Sequence, residues 1–187
     1  QPGGPPVFVV PRGLADWFHD RGIRNVHSVG WWQHHRTGVL DVVGVPARHW
    51  SGRGMFDRNQ THWSGWVLAS GGVSVYFAGD TGYSSDFVDI GERLGPFDLA
   101  LLPVGAYAPR DFMRDQHVDP GEAVRIHQDV RAQQSVGIHW GTFELSDESL
   151  DAPMGDVPLA LQAAGLAPTA LRLLRHGETL TLRAPQP

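Results

Sequence analysis

Two histidines and one aspartate hold positions from which distant parts of a folded chain can meet. Val73-Ser-Val-Tyr-Phe77 has strand-forming character and runs through Ala78-Gly79 into Asp80, after which Thr81-Gly82 turns the chain away. His49 lies just past a second apolar run, Val39–Val45, and His139 follows a third, Ser135–Ile138. In α/β folds ligand chemistry collects at the carboxyl ends of strands. A carboxylate held there is hydrogen-bonded or bound to a cation. Imidazole and carboxylate together suit zinc, which at a catalytic site takes three protein ligands and a water. Each residue also has an ordinary reading. Asp before Thr-Gly is common turn chemistry, and a single loop histidine is most often solvated or hydrogen-bonded. Spacing this wide has no regular signature. The coincidence of three strand ends is what favours a site.

The elements that must position these residues follow from periodicity and punctuation. Val7–Val10 reads as a short buried strand closed by Pro11, and Gly13 to Asp20 as a short helix with Leu14, Trp17 and Phe18 on one face. Val26–Val29 resumes as strand, and Trp31 to His35 falls at a strand end or turn. Pro46 to Trp63, which holds His49, Trp50 and His62, lacks periodicity, and loops of that length tend to be functional or mobile. Trp66–Ala69 and Val73–Phe77 form a hairpin across Ser70-Gly71-Gly72. Phe87–Leu94 reads as a helix stopped by Gly95-Pro96, and Leu99–Val104 as a continuous apolar strand. A second loop, Ala106 to Val118, leads into a capping box, with Asp119 as N-cap, Pro120 first in the helix and Glu122 as the acid at N3. Ala123, Ile126 and Val130 share one face of that helix. Beyond Ser135–Ile138 the sequence predicts a loop with Pro153 and Pro158, a short helix near Leu159–Ala164, and strands at Leu171–Leu174 and Thr179–Leu182. Strands alternating with helices, plus hairpins, predict α/β layers around a mixed sheet in one domain over 1–187.

Composition narrows the function classes. With 187 residues, 41% apolar and 19% charged, the chain suits a globular domain with a sizeable core. A net charge of −5 gives no basic footprint for nucleic acid. Without cysteine there are no disulfides, thiolate metal sites or cysteine nucleophiles. No apolar run approaches the length of a membrane span. Ten histidines and seven tryptophans stand out, many of them in expected loops.

Seven segments lie in one order along the chain: Pro46-Ala-Arg-His49-Trp50, Phe77-Ala-Gly-Asp80-Thr-Gly-Tyr83, Gly95-Pro-Phe-Asp-Leu-Ala100, Pro103-Val-Gly-Ala-Tyr107, Gln116-His-Val-Asp-Pro120, Glu122-Ala-Val-Arg-Ile-His127 and Ile138-His-Trp-Gly-Thr-Phe143. From about Val7 to Gly177 this succession closely resembles the metallo-β-lactamase-fold hydrolases related to N-acyl-phosphatidylethanolamine-hydrolysing phospholipase D. Similarity to sugar-phosphate lactonases and general metal-dependent hydrolases is looser. The resemblance implies a four-layer αββα sandwich with a two-zinc site between its sheets. It makes His49 a ligand of one metal and His139 of the other. Asp80 would bridge both, since its two oxygens can serve one metal each. His117 matches a family histidine close to the metals, which implies a role in handling phosphate or the leaving group and makes it, with the bridging Asp80, a catalytic candidate. Its ordinary reading is a polar loop residue beside the capping Asp119.

The family's other four ligands come from an HxHxDH motif that this sequence does not contain; His34-His35, its nearest histidine pair, matches a different stretch. The fold is therefore expected to be incomplete, its N-terminal part missing. With about two protein ligands per metal, against the three usual at a catalytic zinc, zinc occupancy is expected to be partial or absent. Apolar strand faces are expected to lie uncovered unless a second copy or a complementing N-terminal segment shields them. The implied function is a zinc phosphodiesterase for N-acylphosphatidylethanolamine-like lipids, cytoplasmic or in peripheral contact with a membrane. The alternatives are a non-catalytic scaffold lacking the HxHxDH ligands, and a lactonase or other metal-dependent hydrolase. Trp31, Trp32, Trp50, Trp63 and Trp66 could line an acyl groove, although buried tryptophan is more usually core.

Overall fold

The computed structural model describes residues 4–182. Near its start, β1 (Phe8–Pro11) and β2 (Val26–Val29) pair in parallel as a small sheet. They are joined through α1 (Ala15–His19), whose Phe18 meets Phe8 at 5.2 Å between ring centroids. The main sheet has seven strands in sequence order: β3 (His34–Thr37), β4 (Leu40–Val45), β5 (Gly65–Ser70), β6 (Val73–Phe77), β7 (Leu99–Pro103), β8 (Ser135–Ile138) and β9 (Leu171–Leu173). β3 to β6 are antiparallel neighbours, and β6 to β9 are parallel. The parallel half needs crossovers. These contain α2 (Asp86–Leu94), the short α3 (Arg110–Met113) with α4 (Pro120–Asp129), and α5 (Ala152–Ala163). The mixed α/β sheet is thus the one expected.

Strand side chains alternate, so the sheet has two unlike faces. Val45, Val67, Tyr76, Ala100 and Leu102 point to one side and are buried in a core with Phe87 and Ile90 of α2 and Ala123, Val124 and Ile126 of α4. On the other side Trp66, Leu68 and Phe77 stay only half-buried. With Val7, Val9 and Leu40 they line an apolar groove of about 380 Å³. The partly uncovered apolar face expected from the sequence is therefore present.

The capping box of α4 forms as predicted: the Glu122 N–H donates to Asp119 Oδ1 at 2.8 Å, and the Asp119 N–H to Glu122 Oε2 at 3.2 Å. His34 and His35 open β3, the strand end that is one of the two readings of that stretch. Two boundaries differ. α5 starts at Ala152 and passes through Pro158. Pro153 sits at the helix start, where its missing N–H costs nothing. Interior Pro158 costs about 3 kcal/mol, but burial of Val157 and Leu161 returns roughly 1.5–3 kcal/mol each, so packing wins. Residues 179–182 form no strand, and among the described residues the sheet ends at β9.

Strand direction gathers the site. β4 and β6 are each antiparallel to β5 and so run the same way; β7 and β8 run parallel to β6. All four carboxyl ends therefore open on one edge of the sheet.

Candidate metal centre

Each of the four carboxyl ends brings one residue to that edge. His49 follows β4, Asp80 follows β6, His117 lies in the segment after β7, and His139 comes directly after β8. The His117 ring stands 5.4 Å from that of His49 and 5.4 Å from that of His139. His139 Nε2 is 3.5 Å from Asp80 Oδ1. All four residues singled out from the sequence thus converge. The other histidine pair does not join them: His34 faces Asp41 at 3.5 Å, and His35 stacks on His27 at 3.9 Å.

The cluster is held by its neighbours more than by its own bonds. His49 Nδ1 lies 3.1 Å from the Trp50 carbonyl. A carbonyl only accepts, so in the neutral ring Nδ1 bears the proton and Nε2 keeps its lone pair. A backbone partner on one ring nitrogen is the usual way a metal-binding histidine is oriented. Nδ1 of both His117 and His139 is buried without a partner. His139 also has φ of 60°, in the left-handed region that non-glycine residues seldom occupy. Such strain persists where surroundings enforce it. Here a Cβ on Gly105 would come 2.2 Å from the His139 carbonyl, so only glycine lets the two loops touch.

Asp80 is fixed by the turn after it. The buried Thr81 hydroxyl accepts from the Arg48 N–H at 2.9 Å and donates to the Gly82 carbonyl at 2.8 Å. The Gly82 N–H donates to the Arg48 carbonyl, and the Val118 N–H to the Thr81 carbonyl. One short turn thereby joins the residue before His49 to the residue after His117. Arg48 also pairs with Asp115 at 2.6 Å, and Trp50 Nε1 donates to Gln116 Oε1 at 2.9 Å. Thr81, Arg48 and Gln116 escaped the sequence reading although they adjoin the site residues. Thr81 looked like turn punctuation, and nothing local shows that its hydroxyl reaches across 33 positions. The tryptophans divide: Trp31 Nε1 donates to the Trp63 carbonyl and Trp63 Nε1 to that of Ala47, bracing the loop, while Trp66 lines the open sheet face.

Burial pushes the His117 imidazole below its ordinary range; the Asp80 carboxylate pulls the other way, and His139 and His49 add to the fall. His117 is therefore a neutral ring at pH 7, with one nitrogen able to accept. The donors fit a divalent cation in kind, imidazole nitrogen with carboxylate oxygen. They fall short in number, because among the described residues no group of three or more His, Asp or Glu side chains is drawn close enough to hold a metal.

A beta-lactamase superfamily domain matches residues 6–140, a span containing all four site residues, and the chain belongs to that superfamily. It is 42% identical over 148 residues to N-acyl-phosphatidylethanolamine-hydrolyzing phospholipase D 1 of Caenorhabditis elegans, covering 74% of this chain and 42% of the relative. It is 36% identical over 167 residues to the mitochondrial enzyme of that name from Saccharomyces cerevisiae, covering 86% of this chain and 36% of the relative. The chain thus spans less than half the length of either. Igni18, a metallo hydrolase from the archaeon Ignicoccus hospitalis, superposes with a TM-score of 0.71 at 24% identity, covering 95% of this chain and 69% of that one. That likeness bears on the fold, which is the metallo-β-lactamase fold expected from the sequence.

Proposed function

We propose that this hydrolase-superfamily chain carries part of the active site of a metal-dependent phosphodiesterase acting on N-acylphosphatidylethanolamine-like lipids, with zinc as the metal. The observation behind this is the meeting of His49, Asp80, His117 and His139 from four strand ends, with His139 and Asp80 3.5 Å apart. His49, Asp80 and His139 would supply only some of the metal's ligands. Zinc bound there would supply a water of near-neutral pKa and positive charge for the phosphoryl oxygens. Asp80, half-exposed at the edge, keeps its carboxylate open to the reacting group. The neutral His117 ring between the other two imidazoles accepts a proton at its free nitrogen and returns it to the departing alkoxide.

A lipid substrate is supported by what surrounds the cluster. An apolar recess of about 230 Å³ adjoins His139, lined by Trp140, Thr142, Phe143 and Leu145. Met55, Phe56, Phe143 and Leu145, on loops of this edge, and Phe112 of the short α3 are exposed. Apolar side chains concentrated at one rim mark an interaction surface. Among the described residues no helix is long and apolar enough to cross a membrane.

The test is zinc per chain by elemental analysis, with hydrolysis of N-acylphosphatidylethanolamine in mixed micelles, on the protein and on His49→Ala and Asp80→Ala. Bound zinc lost in both variants, together with a fall in hydrolysis of about 100-fold or more, is the expected result. Zinc unaffected by both substitutions would remove these residues from the site. A second reading, a metal-free scaffold, is favoured by the shortage of ligands among the described residues. Absence of zinc from the unaltered protein would establish it.

A further inference from the structure

We infer that Glu148 is the positioning residue that holds His117 and His139 in register, by strapping the loop after β8 to the loop after β7. This rests on the reading of those histidines as part of the reacting centre. The Glu148 carboxylate accepts from three successive backbone N–H groups, those of Ala106 (2.6 Å), Tyr107 (3.2 Å) and Ala108 (2.9 Å), and from the Ser146 hydroxyl at 2.8 Å. The left-handed conformation of Ala106, φ 61°, helps turn these N–H groups toward one point. Consecutive amides so arranged form an anion cradle, and here the anion comes from the chain itself. Burial raises the Glu148 carboxyl, but the hydrogen bonds from Ala108, Ser146 and Tyr107 outweigh it and hold the group below its usual range.

Both histidines are reached through this strap. On one side, Ala106 follows Gly105, which is in backbone contact with His139. On the other, Arg110 donates to the carbonyls of Tyr107 (3.4 Å) and His117 (2.8 Å) and is itself anchored on Glu122 at 2.7 Å. The Asp147 N–H adds a bond to the Ala108 carbonyl at 3.1 Å. Neither histidine has a hydrogen bond at Nδ1 to fix its ring. Apart from the 3.5 Å approach of His139 Nε2 to Asp80 Oδ1, their orientation depends on the two loop backbones, and Glu148 is a charged link between those backbones.

The test compares the protein with Glu148→Gln and the milder Ser146→Ala. It uses amide hydrogen exchange at residues 106–108, imidazole NMR resonances at fixed pH, and kcat and KM for the phosphodiester. In Glu148→Gln, exchange at the three amides should accelerate about 10- to 100-fold, the worth of charge-assisted hydrogen bonds. The His117 and His139 ring signals should shift or broaden while that of His127 stays, and kcat should fall about tenfold with KM unchanged. Ser146→Ala should move the same two histidines by less, and it decides the matter if Glu148→Gln does not fold. Faster amide exchange with unmoved His117 and His139 signals would reduce Glu148 to a loop staple and overturn the inference. If the unaltered protein hydrolyses no phosphodiester, the reaction reading fails, and the ring signals still decide the role of Glu148.

Discussion

The two edges of the seven-stranded sheet are built differently. At the far edge, β3 turns into β4 at Gly38-Val39 and β5 into β6 at Gly71-Gly72, with hardly any chain between the strands. Strand pairing fixes these reversals, helped by the Ser74 N–H donating to Asp98 Oδ2 at 2.7 Å and by His34 facing Asp41 at 3.5 Å. At the near edge, long irregular segments leave β4, β7 and β8, and they are tied by polar bonds between loops, Thr81 to Arg48, Arg48 to Asp115 and Glu148 to residues 106–108, and within one loop by Trp63 to Ala47. Loops cannot bury enough apolar surface to order themselves by packing, and mobile loops make poor sites. The near edge obtains much of its order from polar bonds that are mostly half-buried, and Arg48–Asp115 is exposed.

That contrast can be broken first at Gly105. Alanine there would overlap the His139 carbonyl, and Gly105→Ala should cost about 3 kcal/mol. Urea denaturation reads the loss, and a cost below about 1 kcal/mol would mean the loop contact yields easily. Next comes Thr81→Val, which keeps the volume and removes the hydroxyl, leaving the Arg48 N–H without its acceptor. It should destabilise by about 1–3 kcal/mol, whereas Val39→Thr at the far edge, where the side chain is 80% exposed, should stay within about 0.5 kcal/mol. Equal effects at the two edges would erase the distinction.

The smallest effect lies with pH. Burial lowers both His117 and His127, whose Nδ1 meets Ser135 Oγ at 2.8 Å. In the unfolded chain both titrate near 6.5. Between that value and the lowered folded ones the unfolded chain holds more protons. Stability is thus full above about pH 6.5, declines as pH falls, and levels off once the folded rings protonate. His127→Gln should shrink the difference between urea midpoints at about pH 7.5 and about pH 5.5. An undiminished difference would place the effect elsewhere.

By itself the sequence determined most of the strands, the α4 capping box and the places of His49, Asp80 and His139 after strands. These rest on local signals: period-two apolar runs, a glycine turn after Asp80, and an acid three residues past Asp119. It misled at Pro158, where a local penalty is overridden by the burial of Val157 and Leu161, and at Thr179–Leu182, where alternating apolar residues find no strand to join. Tertiary structure alone decided how the site is held. The Thr81 hydroxyl meets a backbone amide 33 residues away, and Glu148 meets amides 40 to 42 residues away. A hydrogen bond between distant residues leaves no periodicity in either segment; it exists only once parallel strands have brought their carboxyl ends to one edge.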